Sequence, residues 1–383
     1  MRPAAPYTLP EHGVVWLTRA RSRYLARAAR LLLDPTSVPS WLMSAWSGVR
    51  EPFADILRAH PGDLLAAIAL PQVGAPLCAG RLDEAIPQLL LELSRRRVLG
   101  REGMWWPNVV PRLLSAPRGV ARTFDPPLIG ALFSDGEVEI AAGVPWDEGG
   151  ERAFLPLARG GWLALADNNP LALVEAHPDK SGNALSLGGH TAEAWVEALD
   201  AARALIARAL PDVAAEHAQV LALVVPVGFE AEKSLSASYR EAIGVVYLTL
   251  HPKVAVLAEA LLHEVQHNKL NLLLWSDALL HDDGVLVSSP VRPDPRPLLG
   301  VLLAVHAFLP VAQLHLELLA QGHPAGDPER LRQVMQANRE GLAVLAGARP
   351  TALGAVLLDG MRALEQWQRE AVGQATGGAT GAR

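Results

Sequence analysis

Cysteine is nearly missing from this chain of 383 residues, which has one, Cys78. That excludes disulfides within the chain and a cysteine-rich zinc or iron–sulfur centre. Lysine is almost as scarce, confined to Lys180, Lys233, Lys253 and Lys269. Charged residues make up only 19% and the net charge is −6. With no basic run and no interleaving of basic with aromatic residues, no nucleic-acid partner is expected. The longest apolar run, residues 297–312, contains His306 and Pro310 and is too short to span a bilayer, so no membrane partner is expected either. Met1-Arg2-Pro3-Ala4-Ala5-Pro6 leads into Glu11 and His12 without a signal-peptide core, which makes a soluble, cytoplasmic protein the expectation. No internal repeat is present.

Half of the residues are hydrophobic, and one apolar stretch carries chemistry. It reads Leu261-Leu262-His263-Glu264-Val265-Gln266-His267-Asn268-Lys269-Leu270-Asn271. From Val254 to Trp275 the only other side chain able to carry charge is Glu259, so the run reads as a buried helix. Residues four apart share a helix face, so His263 and His267 can offer two imidazoles to one metal ion. Glu264 projects about 100° away, close enough to handle protons or steady a ligand. Burying His, Glu, Gln, Asn and Lys together costs several kcal/mol unless each finds a partner. A metal with an attached reaction site would supply partners.

The flanking pattern gives the fold class: α+β, mostly helical, with the HExxH on a buried helix, a small central sheet and no double-stranded β-helix. Residues 1–125 form a helical lobe with a Met104-Trp105-Trp106-Pro107 core wedge. Residues 126–250 are mixed, with short strands at 126–133, 137–142, 153–157 and 161–166 between Gly, Asp and Pro turns. Thr191 caps a helix running to about Leu210, and 220–227 and 243–250 read as buried strands. His177 and His190 fall in exposed loops. Residues 251–372 form a helical metal domain, with helices at 299–320, 328–346 and 351–371 after a long Asp-, Ser- and Pro-rich loop. The Gly/Ala/Thr-rich tail, 373–383, is expected to be disordered.

Two histidines rarely hold a catalytic metal alone. A metzincin would need Gly at 270 and His at 273, and both are Leu. A thermolysin-type site needs a glutamate on the next helix, yet none occurs between Glu264 and Glu317. Asp277 lacks the glycine-threonine turn of an aspartate-ligand protease. His281, His306 and His315 remain. His306 leads, because it is apolar on both sides, where an unpartnered imidazole is costly.

The region 240–315 resembles the HExxH family of peptide-modifying proteins of ribosomal natural-product pathways. The resemblance lies in Ala258 to Asn271, in Arg292-Pro293-Asp294-Pro295-Arg296-Pro297-Leu298-Leu299-Gly300 and in His306-Ala307-Phe308. The family pattern places a histidine one turn before 306, where this chain has Leu303. The resemblance implies an iron(II)- and 2-oxoglutarate-dependent peptide β-hydroxylase acting on a ribosomally made precursor peptide. In that reading His263, His267 and His306 hold iron, and Glu264 orients a ligand or handles protons. Arg296, Arg292 and Lys269 are the candidates for the distant carboxylate of 2-oxoglutarate, arginine being the better bidentate clamp. The alternative is a zinc peptidase, with Glu264 as general base.

Overall fold

The structure, a computed structural model, describes residues 2–9, 15–109, 114–115, 120–122, 128–140, 144–145, 151–165, 168–173, 182–281, 284–289 and 292–378. Among the described residues five α-helices come first: α1 (Val15–Leu33), α2 (Met43–Ala59), α3 (Pro61–Ile68), α4 (Pro71–Cys78) and α5 (Leu82–Arg95). Proline opens α3 and α4, where its missing N–H would have had no helical partner. Seven short strands follow: β1 (Met104–Val109), β2 (Leu114–Ser115), β3 (Val120–Arg122), β4 (Leu128–Ser134), β5 (Glu137–Ile140), β6 (Val144–Pro145) and β7 (Glu151–Arg152). They make an antiparallel sheet β1-β4-β5-β6 and a small sheet β2-β3-β7. Trp106 of β1 and Phe133 of β4 complete the core of the five helices.

The remainder of the chain builds the second half of the molecule. It comprises β8 (Phe154–Pro156), β9 (Trp162–Ala164), α6 (Ala192–Ala209), α7 (Pro211–Val220), β10 (Leu223–Phe229), β11 (Ser236–Ala237), β12 (Val245–Leu250) and α8 (Val254–Leu274). The hairpin β13 (Leu286–Ser289) and β14 (Arg292–Pro297) follows, then α9 (Leu298–Ala320), α10 (Pro328–Leu345) and α11 (Ala352–Gly378). The sheet runs β11-β12-β10-β9-β8, parallel at its centre and antiparallel at both ends. Val246 and Leu248 of β12 face the helices α6 and α8, while Val245 and Tyr247 face the other way, as a period of two requires. The class is α+β and mostly helical.

Several expectations meet a different packing. Ala131, Phe133 and Val138 join the N-terminal helices, whereas α6, β10 and β12 share one core with α8 and α9. The cores thus run across the expected divisions at 125/126 and 250/251. Residues 211–220 are helical and the strand begins at Leu223; Pro211 starts a helix as readily as it ends one. The loop before α9 contains a hairpin. Its second strand has proline at positions 293, 295 and 297, and its pairing is irregular between Val287 and Ser289, as proline's missing N–H groups favour. Helix α11 continues to Gly378, into the expected tail, and residues 379–383 lie outside the described residues, as does His177. His190 is exposed. Helix α9 is long and apolar enough to cross a bilayer, but 78% of its apolar window is buried inside the protein.

One side chain docks α8 on the sheet. Asn268 Oδ1 accepts from the Gly244 N–H at 2.7 Å, and Nδ2 donates to the carbonyls of Val245 and Glu264, each at 3.1 Å. Gly244 has φ +85°, and a Cβ there would lie 2.8 Å from the Val220 carbonyl oxygen. Asn268→Leu removes all three bonds, of which those to the Gly244 N–H and the Val245 carbonyl tie the helix to the sheet, so a loss of about 2–4 kcal/mol is expected in urea unfolding. A loss under about 0.5 kcal/mol would show that α8 is docked by apolar contacts alone.

Candidate metal centre

Helix α8 is buried nearly all round, yet it carries a polar side chain on each face. Their partners divide the helix into sectors. Asn268 faces β12, as described. Glu259, one turn before His263, takes the His315 Nε2 at 2.9 Å and the Arg330 Nε at 2.8 Å. Burial would raise the Glu259 carboxyl, but these two partners reverse the effect and leave it below the usual range. His315 is spent there, since its Nδ1 also accepts from the Asp327 N–H at 3.2 Å.

Lys269 points to the opposite side. Its ammonium lies 2.5 Å from Glu216 of α7, both side chains fully buried, and donates to the Thr8 carbonyl at 3.3 Å. It also sits over the Trp16 ring, 5.8 Å from the centroid. Burial raises the Glu216 carboxyl and lowers the Lys269 ammonium, each opposed by the other's charge. His306 belongs to this side too. It is fully buried on α9, with Nε2 2.9 Å from the Tyr7 carbonyl oxygen. Burial, reinforced by the Lys269 charge, pushes its pKa to about 3. His306 therefore stands outside the 4.8 Å donor group, though within electrostatic reach of both histidines of the pair and with its own Nδ1 buried and unpartnered, and Lys269 is committed to Glu216.

The remaining sector holds His263, Glu264 and His267, whose donor atoms all lie within 4.8 Å of one another. Among the described residues this is the one group of at least three such donors. The imidazole rings are 4.4 Å apart, and His263 lies 4.6 Å from the Phe308 ring. Burial holds both histidines below their ordinary pKa, helped at His263 by the neighbouring His267. They are thus unprotonated near neutrality, the state in which imidazole binds a metal. The Nδ1 atoms of both rings are buried without a hydrogen-bond partner. Glu264 is held from the sheet: Ser236 and Ser238 each donate a hydroxyl to one of its oxygens at 2.7 Å.

These groups line a cavity of about 490 Å³. Residues 236–240 form one wall and Leu299, Gly300, Leu303, Ala304 and Phe308 another. Arg296 and Asn271 also line it. The Arg296 charge acts on His267, so this arginine, of the three basic candidates, stands at the cavity. Arg292 lies in β14, but its side chain falls outside the described residues. Leu303 lines the cavity where His306 does not, because three positions along a helix turn a side chain by about 300°. His281 is exposed and stands outside the donor group.

Sequence reasoning passed over the serines, although Ser234, Ser236 and Ser238 alternate as one face of an extended strand does. Asn271, four after His267, was equally open to a helical-face reading. Compared with known proteins, the sequence matches no protein-family model and no curated protein.

The buried ion pair yields a test of this partition. Lys269→Met leaves Glu216 buried and unpaired, for an expected loss of about 3–5 kcal/mol, while Lys269→Met/Glu216→Leu recovers most of it. Metal affinity, measured beside the unfolding curves, should be unchanged in the double variant. A large drop would place Lys269 in the site.

Proposed function

We propose that this chain is a non-haem iron(II) oxygenase that uses 2-oxoglutarate and hydroxylates a side-chain carbon of a ribosomally made peptide, the β-carbon by the family resemblance. The observation that carries the reading is the grouping of two imidazoles and one carboxylate in a cavity with an arginine on its wall. Two histidines and a carboxylate with open positions are the donor set of many iron(II) oxygenases. The residues fit a divalent ion: the imidazoles are neutral, their buried Nδ1 atoms have no partner, and the three donors lie close enough for one ion to bridge. In this proposal Glu264 replaces His306 as the third donor.

Bound iron(II) would supply the oxidising chemistry, in which 2-oxoglutarate and dioxygen go to succinate and carbon dioxide as C–H becomes C–OH. The protein's own residues orient and enclose. Ser236 and Ser238 fix the Glu264 carboxylate, so that its position does not depend on a long, free side chain. Arg296 offers a planar fork to the far carboxylate of the keto acid. Leu299, Leu303 and Phe308 give the cavity an apolar wall that limits water around the reacting carbon. With all three donors on one helix, the proposed enzyme lies outside the double-stranded β-helix architecture.

The zinc peptidase is the rival because Glu264 stands directly beside the pair. Each Glu264 oxygen accepts one serine hydroxyl and keeps a second lone pair, which serves a metal donor and a general base alike, so the two readings part on the succinate assay.

Anaerobically purified, iron-loaded protein should turn 2-oxoglutarate into succinate, and mass spectrometry of added peptide should show a gain of one oxygen. Peptide cleavage by zinc-loaded protein without succinate would overturn the proposal. In equilibrium binding of iron(II), His263→Ala and His267→Ala should abolish tight binding. Glu264→Ala should weaken it at least ten-fold, while His306→Gln should keep it within a few-fold.

Arg296→Leu tests the clamp separately. Loss of a charge-assisted partner costs about 1.5–3 kcal/mol, so the 2-oxoglutarate requirement should rise roughly ten- to a hundred-fold with iron binding intact. An unchanged requirement would remove Arg296 from the role.

A further inference from the structure

The substrate's docking site can be read from the strand that holds Glu264. β11 ends the five-stranded sheet, and among the described residues no strand pairs with its outer side. The Thr249 N–H donates to the Leu235 carbonyl at 2.9 Å, so the backbone of Leu235 faces β12. Backbone direction alternates along an antiparallel strand. Ala237, opposite Tyr247, therefore also faces β12, and the N–H and C=O of Ser236 and Ser238 are directed to the open edge. Five consecutive residues from Ser236 to Arg240 line the cavity. The strand itself is Ser236–Ala237, and the segment that continues from it follows the wall of the trough.

Side chains decide what this edge delivers. Ser236 sits opposite Leu248, which faces α8, and its hydroxyl reaches Glu264. A chain added beside Ser236 would present every second side chain to that same face, over His263 and His267. The far wall is shaped for it. Gly300 and Ala304, one turn apart on α9, are small, and Leu299, Leu303 and Phe308 beside them are only partly buried apolar groups. The basic groups lining the cavity are Arg240 and Arg296, against the single carboxylate of Glu264, which is occupied by serines. Arg240 lies beyond the strand, in a turn, and its carbonyl accepts from the Trp275 indole at 2.9 Å. It is anchored by an Nη2 donation to the Leu274 carbonyl at 2.9 Å and by stacking 5.5 Å over Trp275, and guanidinium retains further donors.

We propose that the open edge of β11 takes an extended peptide as an added strand, held by main-chain hydrogen bonds to Ser236 and Ser238. One side chain is lowered toward the His263/His267 pair, and an acidic side chain two to four residues away meets Arg240. This rests on the oxygenase reading for the fate of that side chain, but not for the binding itself. Main-chain pairing supplies affinity with little demand on sequence, and alternate pockets supply selectivity. A site of this kind modifies residues in unstructured segments and rejects the same residues in helices.

The test uses the full chain loaded with zinc, without 2-oxoglutarate, so that no turnover is needed. Bead-bound random heptapeptides are screened against it, and the tightest binder is fluorescein-labelled and N-methylated one residue at a time. Anisotropy should show a loss of ten-fold or more at every second residue and little change between. Acidic residues should be enriched near one end, and Arg240→Met should erase that preference. Gly300→Leu should abolish binding by filling the trough; its Cβ has room, the nearest atom lying at 3.8 Å, and the thermal midpoint checks that the fold persists. No binder, a uniform N-methyl response or a three-to-four-residue period would each overturn the proposal. Peptide binding with no succinate would instead overturn the oxygenase reading alone.

Discussion

The constraint on which the rest depends is the burial of a helix that is not apolar. α8 places Glu259, His263, Glu264, Gln266, His267, Asn268, Lys269 and Asn271 inside the protein or at the cavity, where an unpaired polar group costs more than most single packing contacts return. The surrounding elements answer it sector by sector. The sheet supplies Gly244 and Val245 to Asn268, α7 supplies Glu216 to Lys269, and α9 and α10 supply His315 and Arg330 to Glu259. What is left is the histidine pair, turned to a cavity. Besides the buried Gln266 amide, which also has no hydrogen-bond partner, the histidine sector is where the described residues leave the helix's polar groups unanswered, and it is the one that opens on a cavity.

This partition explains why His306 falls outside the donor group. A buried histidine in an apolar stretch signals a partner, and His306 has one, but it is the Tyr7 carbonyl. The N-terminal segment reaches across with the carbonyls of Tyr7 and Thr8 to satisfy His306 and Lys269 together. Nothing in the linear pattern distinguishes a carbonyl from a metal as the answer to a buried imidazole. The face of α9 that does look into the cavity carries Gly300, Leu303 and Ala304, so the helix contributes shape there, and Glu264 is left as the nearest donor.

The strand β11 joins the two halves of the functional proposal. Its side chains steady the carboxylate next to the histidines, and its backbone edge faces the space where a substrate would lie. Positioning the donor and positioning the substrate from one strand keeps their separation fixed, since both are referenced to the same backbone. It also ties the site to β12 and the buried sheet.

The sequence alone determined whatever follows from local periodicity. A spacing of four put His263 and His267 on one face, the apolar flanks buried their helix, Thr191 capped α6, and the first two helices after Pro297 fell close to their expected limits. The wedge at Trp106 was legible too, from a large apolar side chain in an aromatic cluster. Tertiary structure decided which faces meet. It sent Lys269 to Glu216 and His306 to Tyr7, and it brought Ser236, Ser238 and Arg296 to the pair from separate segments. The physical reason is that a helix's own period fixes which residues share a face, whereas the partner of a buried polar group is set by neighbours distant in sequence, and for His306 that neighbour lies 299 residues away.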